Sequence, residues 1–430
     1  MRIIKNLKHI LLMLVVLFSP LALAQAEMLH IPYGWLKFLI AFITLAFSLG
    51  LVAYLYGKAT RPQKALAYAF SMATHIFIWV IILLTLYPVV YLLAISLSKN
   101  DSITAALPKT GNIIFRSGVL PDPAKFSFIQ YQKVLGQTHL LNYQWLLLGV
   151  FLFSIAVIVF VSMAKRLKST NRSFEQYKSY ATWLSFISLA VLVISINPSQ
   201  FYFINEAGQR VGSSSERKII LYIRNTLVVS GVTGIFAVLI STTAGYAFSR
   251  MRFQGRYQTL LSFVFIQMFP GFMALVAIFY MMNYLDLLNT YTGLILAYSG
   301  GAISFAAWIF KGYLDSISPS LEEAARVDGA THWGAFWRII LPVSIPMLLF
   351  IFLLQFIGTY SEFILANILL TGENQWTVGI GLRNFTTNRF NTQWGALAAS
   401  AVLGSIPILI IFYSFQEALT GQHTAGGVKG

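Results

Sequence analysis

The chain contains no cysteine, and only 10% of its residues are charged. Without thiols it has neither a disulfide framework nor a thiolate metal site, which excludes thiol redox chemistry and Cys-ligated zinc. Its six histidines are scattered and form no HxxxH pair, so the sequence predicts no metal site. A G-x-x-x-x-G-K-[ST] phosphate loop is also missing, and we therefore expect ATP hydrolysis, if any accompanies the function, to occur in another chain.

Apolar residues dominate what is present. They make up 57% of the 430 residues, and mean hydropathy is +0.71. Apolar runs of about 20 residues recur along the chain, as in proteins that cross a bilayer several times. The net charge of +16 arises from cations that fall mainly in short loops between these runs, a placement that indicates membrane orientation rather than nucleic-acid binding.

The apolar windows predict nine spans after the N-terminal segment and an all-α polytopic membrane protein. The windows lie near residues 35–56, 74–97, 143–164, 180–197, 219–246, 258–284, 291–312, 343–366 and 396–418.

The N-terminal segment has the layout of a secretory signal. Arg2, Lys5 and Lys8 precede an apolar run that ends at an A-x-A site, Ala24-Gln25-Ala26. We predict a signal peptide over residues 1–26, and an uncleaved signal anchor is the alternative. Both leave every later span in the same orientation.

Basic loops define that orientation. Lys58, Arg61 and Lys64 form one cluster, a second lies between residues 165 and 178, and a third holds Arg250 and Arg252. Placing all three inside satisfies the positive-inside rule. Residues 320–342 and the C-terminus then lie in the cytoplasm.

Residues 320–342 are unusually polar for this chain. Ser320 and Glu323 have capping-box spacing, which predicts a helix start near Ser320 with reciprocal side-chain bonds. Gly329 can adopt the positive φ that ends a helix, and Thr331 or Asp328 can cap a second helix that stops at Leu341-Pro342. From physical chemistry alone, an amphipathic connector resting on the membrane is an equal alternative.

The spacing Glu323-Ala324-Ala325, three residues, Gly329, nine residues, Ile339-Ile340-Leu341-Pro342 resembles the EAA loop of permease subunits in binding-protein-dependent ABC importers, among them those for maltose and maltodextrin. Further stretches that carry the resemblance are residues 87–97, 224–227, 241–253, 267–270 and the tail 419–430. The resemblance implies a six-helix type I ABC importer core plus about three extra transmembrane helices. It also implies that the loop couples to a cytoplasmic ATPase through Glu322, Glu323, Ala324, Ala325, Asp328, Gly329, Ala330, Leu341 and Pro342.

The resemblance further implies a division of the chain. Residues 27–73 would hold an extra helix and a cytoplasmic loop, 74–97 the first core helix, and 98–218 a periplasmic loop with an inserted helix pair at about 143–197. Residues 219–418 would form the rest of the core, and 419–430 a cytoplasmic tail. Implied partners are a second homologous permease, two ATPase subunits that use ATP and Mg²⁺, and a periplasmic sugar-binding protein; this chain would bind no cofactor.

Three further sets of residues are candidates for function. Pro270 should kink its span, and the freed carbonyl could line a translocation path. Trp376, Asn384, Asn388 and Trp394 lie in an outer loop whose aromatic and amide groups suit either a sugar or a binding protein. The resemblance implies that Gly426, Gly427 and Lys429 of the tail contact the ATPase.

Other classes of membrane protein are less well supported. An ion-coupled secondary transporter would need carboxylates at mid-membrane, and Glu362 is the one carboxylate within a core span, near its outer end. A membrane enzyme would need clustered His or acidic residues, which the sequence does not have. An ABC permease for a solute other than sugar stays open.

Overall fold

The computed structural model is almost entirely α-helical and describes residues 34–101, 115, 118–166, 172–268, 270–386 and 392–419. Its helices are α1 (Gly34–Thr60), α2 (Ala65–Ser96), α3 (Ile129–Leu135), α4 (Asn142–Arg166), α5 (Arg172–Ser195), α6 (Ile219–Arg250), α7 (Arg256–Met268), α8 (Leu275–Tyr284), α9 (Tyr291–Ser316), α10 (Ser320–Val327), α11 (His332–Ala335), α12 (Leu341–Val343), α13 (Ile345–Ser361), α14 (Ile364–Leu369), α15 (Val378–Asn384) and α16 (Trp394–Leu419). One short antiparallel hairpin pairs β1 (Tyr202–Ile204) with β2 (Arg210–Gly212).

Among the described residues, seven helices are long and apolar enough to cross a membrane: α1, α2, α4, α5, α6, α9 and α16. Two bent pairs also pass this test, the segment from Arg256 to Tyr284 and the segment from His332 to Ser361. Counting each pair as one span gives nine, which confirms the all-α polytopic prediction and matches the nine apolar windows. The predicted signal at 1–26 lies outside the described residues.

The first of two compact units comprises Met1–Lys133 and Asn388–Val402. Here α1 and α2 form a hairpin around the buried Ala53, Met72 and Ile76. Helix α2 begins at Ala65, so the helix that holds the predicted first core span starts before residue 74. No Pro or Gly interrupts residues 65–74, and the helix therefore continues from the loop straight into the span.

The second unit comprises Val134–Thr387 and Leu403–Gly430. Its centre is α6, which packs on α9 and α13 with the buried Phe310 and Ile351 in one cluster. Gly245 of α6 allows a close approach, because a Cβ at this position would lie 2.8 Å from Cδ1 of Phe310. The extra helices α4 and α5 form a hairpin in the same unit, joined at one end by the Gln144 amide, which donates to the Ser195 carbonyl over 2.9 Å.

Both bent spans break next to a proline. The predicted kink at Pro270 is a break with a 92° bend, and Pro270 precedes a short 3₁₀ turn at Gly271–Ala274. The second bend, of 71°, lies at Ser344, just before Pro346 in the first turn of α13. Proline is tolerated in a first turn because that amide has no partner there in any case. Each bent span is thus two separately directed helices rather than one curved helix.

Candidate functional site

The first half of the polar segment 320–342 is helix α10, which begins at Ser320 as predicted. The predicted capping box is wrong. Pro319 occupies the N-cap position without a side-chain hydrogen bond, and the Glu323 amide donates to the Pro319 carbonyl over 3.0 Å. The Ser318 hydroxyl accepts from the Ser320 amide instead, so the Glu323 carboxylate is left exposed on the surface.

Gly329 ends this helix in the left-handed conformation, with φ of +87°, as predicted. A Cβ at this position would meet nothing within 4 Å, so the requirement for glycine comes from the backbone and not from space. The Ala330 amide donates to the Ala325 carbonyl over 2.9 Å, and the Gly329 amide to the Arg326 carbonyl over 3.0 Å. These bonds close the turn between the two halves of the segment.

The second half begins at Thr331, whose hydroxyl accepts from the Gly334 amide over 3.0 Å, as predicted. The expected stop at Leu341-Pro342 is wrong. After α11 the chain forms a π-helical turn at Phe336–Ile340 and continues into α12, with Pro342 in its first turn. Proline fits there since it needs no amide partner in a first turn, and the chain bends only at Ser344.

One face of α10 is buried through an ion pair that the sequence reasoning missed. Glu322 is only 7% exposed, and its Oε1 accepts from Nε of Arg250 over 2.6 Å. Its Oε2 accepts from the Tyr246 hydroxyl over 2.9 Å, and Nη2 of Arg250 donates to the Ile317 carbonyl over 2.8 Å. Both carboxylate oxygens of Glu322 thus have a donor, as a buried charge requires. Helix α10 is therefore bonded to the C-terminal end of α6.

The second half of the segment contacts the same end of α6. The ring of Phe336 is fully buried and lies 4.7 Å from the Tyr246 ring, centroid to centroid. Ile340, also fully buried, belongs to the same cluster. Trp333 and Trp337 flank Phe336 but are 58% and 56% exposed. Tyr246 is thus the point on α6 where both halves of the segment meet.

The opposite face of the segment is open and mixed in character. Glu323, Ala324, Asp328 and Gly329 are exposed, whereas Ala325 is buried and Ala330 half-buried. Val327 is 88% exposed, an unusual state for an apolar residue. An open cavity of about 700 Å³ lies here, lined by residues between 323 and 332. Leu341 is half-buried and Pro342 exposed.

The outer loop is held by its own packing. Trp376 is half-buried against the cluster around Val229 and lies 6.0 Å from the Tyr222 ring. The Asn384 amide donates to the Ser215 hydroxyl over 2.6 Å. In the first unit, the Trp394 backbone amide donates to the Asp101 carbonyl over 3.0 Å. Trp376 and Asn384 therefore have structural partners within this chain.

Glu362 has a structural partner set as well. Its Oε1 accepts from the Leu365 amide and its Oε2 from the Ala366 amide and the Tyr298 hydroxyl. The carboxylate thereby caps α14, where the core span ends. A half-buried carboxylate needs donors, and these three groups supply them. Asn388, Gly426, Gly427 and Lys429 lie outside the described residues.

Comparison with known proteins identifies a family and relatives for this chain. Residues 226–421 match the family described as binding-protein-dependent transport system inner membrane component. The maltose/maltodextrin transport system permease protein MalG of Vibrio vulnificus strain YJ016 is 36% identical over 294 residues, which cover 66% of this chain and 93% of that protein. The MalG of Escherichia coli K12 is 42% identical over 218 residues, 49% of this chain and 73% of that protein.

A solved structure shows the same fold. It is a bacterial ABC transporter involved in the import of the acidic polysaccharide alginate, with 19% identity and a TM-score of 0.52, covering 81% of this chain and 95% of that one.

Nine candidate spans among the described residues, an EAA-type segment packed on the C-terminal end of α6 and these relatives define a membrane permease of the ABC importer class. This chain belongs to the family of binding-protein-dependent transport system inner membrane components, and it is a multi-pass protein of the inner membrane that works with other subunits.

Proposed function

We propose that this chain carries maltose or maltodextrin across the inner membrane and is driven by a separate ATPase that docks on residues 320–342. The substrate rests on the relatives, which are named as maltose/maltodextrin permeases and which this chain matches over most of their length. The docking rests on the geometry of the segment. A rigid helix–turn–helix with its inner face bonded to α6 presents an open outer face to a partner.

The chemistry of that outer face supports a protein partner rather than a lipid surface. Val327 projects into solvent beside Glu323 and Asp328, two carboxylates that anionic headgroups would repel. The cavity is lined by the acid Glu323, the base Arg326 and the apolar Val327, a mixed surface that suits a protein partner with complementary charges. We assign ATPase contact to Glu323, Ala324, Asp328, Gly329 and Ala330, and to the tail residues Gly426, Gly427 and Lys429.

The other residues predicted to contact the ATPase have different roles, because of where they lie in the structure. Glu322 and Ala325 face inward, so they hold the segment rather than touch the partner. Leu341 and Pro342 lie past the π-helical turn, where they direct the chain into α13. We propose that they act by placing the docking face.

The rest of the assembly follows from the function. A second, homologous permease completes the pathway, two ATPase subunits bind and hydrolyse ATP with Mg²⁺, and a periplasmic binding protein delivers the sugar. This chain binds no cofactor, and its C-terminus lies in the cytoplasm, where the basic loops place it. Trp394 is the best remaining candidate in the outer loop for contact with the binding protein, since it is 38% exposed.

Reconstitution tests the proposal. Proteoliposomes with this permease, its partner permease, the ATPase subunits and the binding protein should take up maltose only with ATP, and an ion gradient alone should give no uptake. Gly329→Trp and Glu323→Lys should abolish uptake and ATPase co-purification while the chain still inserts. Lys311→Gln is the matched control: it removes a partly exposed i,i+4 pair with Asp315, worth under about 1 kcal/mol. Normal uptake by Gly329→Trp would refute the docking assignment.

A further inference from the structure

The bonds of Glu322 raise the question of which helix moves when the docking segment moves. The segment continues α9 and α13 along the chain, so covalent connection alone links it to those two helices. Its ion pair and its aromatic contact go instead to α6, 72 residues away in sequence at Arg250. That helix is not adjacent to the segment along the chain.

We infer that Tyr246, Arg250 and Glu322 form a mechanical connection that makes α6 follow the docking segment during transport. These three are positioning residues, and the inference rests on the proposed function. It adds that the force from the ATPase reaches α6 through these side chains as well as through the packing of α6 on α9 and α13.

Three observations support a rigid connection. The contacts between α10 and α6 are directional and short: a 2.6 Å ion pair and a 2.9 Å hydrogen bond converge on one carboxylate. The groups are shielded, with side-chain exposures of 13% for Arg250 and 9% for Glu322, so water competes little for these bonds. The Tyr246 ring adds a second, apolar contact through Phe336, which lies in the other half of the segment.

Two points of attachment on one residue have a mechanical consequence. A single contact would let the segment rotate about it. Because the Tyr246 hydroxyl bonds α10 and its ring packs on Phe336 beyond the Gly329 turn, the two halves cannot rotate independently against α6. Arg250 also holds the chain just before α10, through the Ile317 carbonyl. The segment and the C-terminal end of α6 then move as one body.

A neighbouring polar cluster provides a contrast on the same helix end. The Ser249 hydroxyl donates to Asp315, which also pairs with Lys311. These groups join α6 to α9, and the Ser249 hydroxyl also accepts from Nη1 of Arg250 over 3.4 Å. Lys311 therefore supplies a control in which charge is removed near Arg250 without cutting the connection.

The first experiment measures transport per ATP in the reconstituted complex. Tyr246→Phe keeps the ring and removes the hydroxyl, and Glu322→Gln removes the charge. Both variants should retain the ATPase subunits and hydrolyse ATP. They should transport at least about fivefold less maltose per ATP than the wild type, within the usual range of coupling between sites. Arg250→Lys should retain more transport per ATP than Arg250→Gln, and Lys311→Gln should match the wild type.

Three results would overturn the inference. The first is a wild-type ratio of maltose to ATP in both Tyr246→Phe and Glu322→Gln. The second is loss of the complex in Glu322→Gln with a wild-type ratio in Tyr246→Phe, since the pair would then only support folding. The third is equal transport by Arg250→Lys and Arg250→Gln.

A second measurement does not depend on transport and so separates this inference from the proposed function. The natural chain has no cysteine, which allows spin labels at Leu239→Cys on α6 and Arg338→Cys on the segment. The label distance should be the same with and without ATP in the wild-type background and should change with ATP in Tyr246→Phe. A distance that changes with ATP in the wild-type background would overturn the inference, whichever solute is carried.

Discussion

Replacement of Gly329 by alanine isolates the backbone requirement of the docking turn. With φ of +87° an L-residue is strained, at a cost of about 1–2 kcal/mol. The added Cβ meets nothing within 4 Å, so no steric clash adds to this figure. The turn would relax when the partner is absent, and docking would have to restore it. We therefore expect Gly329→Ala to weaken ATPase binding by about 5- to 30-fold.

The assay is titration of purified ATPase subunit onto permease complexes in detergent, followed by ATP-driven uptake. Gly329→Asn should bind better than Gly329→Ala, because asparagine tolerates the left-handed region. Gly312→Ala is the matched control: it lies in α9 with open space around it and without positive φ, and alanine favours a helix by up to about 1 kcal/mol. Equal ATPase affinity for Gly329→Ala and Gly312→Ala would refute the reasoning.

Three other predictions concern separate parts of the molecule. Val327→Glu adds a third carboxylate to the open face, beside Glu323 and Asp328, and should reduce ATPase co-purification while membrane levels stay normal; unchanged co-purification would place the docking surface elsewhere. Asn225→Ala removes both donors to the carbonyls of residues 374 and 376 and should lower the free energy of unfolding by about 1–3 kcal/mol, read from denaturation in detergent, without changing sugar per ATP. Glu362→Gln keeps an acceptor for α14 and should leave uptake ATP-driven, whereas Glu362→Ala should cost about 1 kcal/mol as a lost cap; uptake that stops in Glu362→Gln alone would indicate a proton-coupled step.

The parts of the fold that follow from local sequence were predictable. Nine apolar windows gave nine spans, because length and hydropathy are properties of a continuous stretch. The positive φ of Gly329 and the cap at Thr331 follow in the same way from turn and cap chemistry.

The parts that depend on distant residues were not predictable. In the sequence, Arg250 looks like one of the basic loop residues that set membrane orientation. No neighbouring residue indicates that it pairs with Glu322. A weak signal did exist: Glu322 and Ala325 are three residues apart and so share one face of α10, which is the buried one. The π-helical turn that carries the chain past Leu341 depends on the burial of Phe336 and Ile340, which only the packed structure provides.

Trp376 illustrates a different limit. An aromatic residue among amides is typical of a sugar site and equally of a loop that packs on its own scaffold. The carbonyls of Asn374 and Trp376 accept from the buried Asn225 amide, and these bonds hold Trp376 against α6. Sequence composition alone could not distinguish these cases, since the deciding donor, Asn225, lies 151 residues before Trp376.

The close approach at Gly245 limits the kinds of motion open to the core. The Phe310 ring fills the space that a side chain at Gly245 would take, so α6 and α9 fit together in one angular register. Rotation of either helix about its own axis would bring the backbone near Gly245 into collision with the Phe310 ring. Rearrangement of the second unit is thereby directed away from helix rotation and toward the two helix breaks, at Pro270 and Ser344, where no continuous helix has to bend.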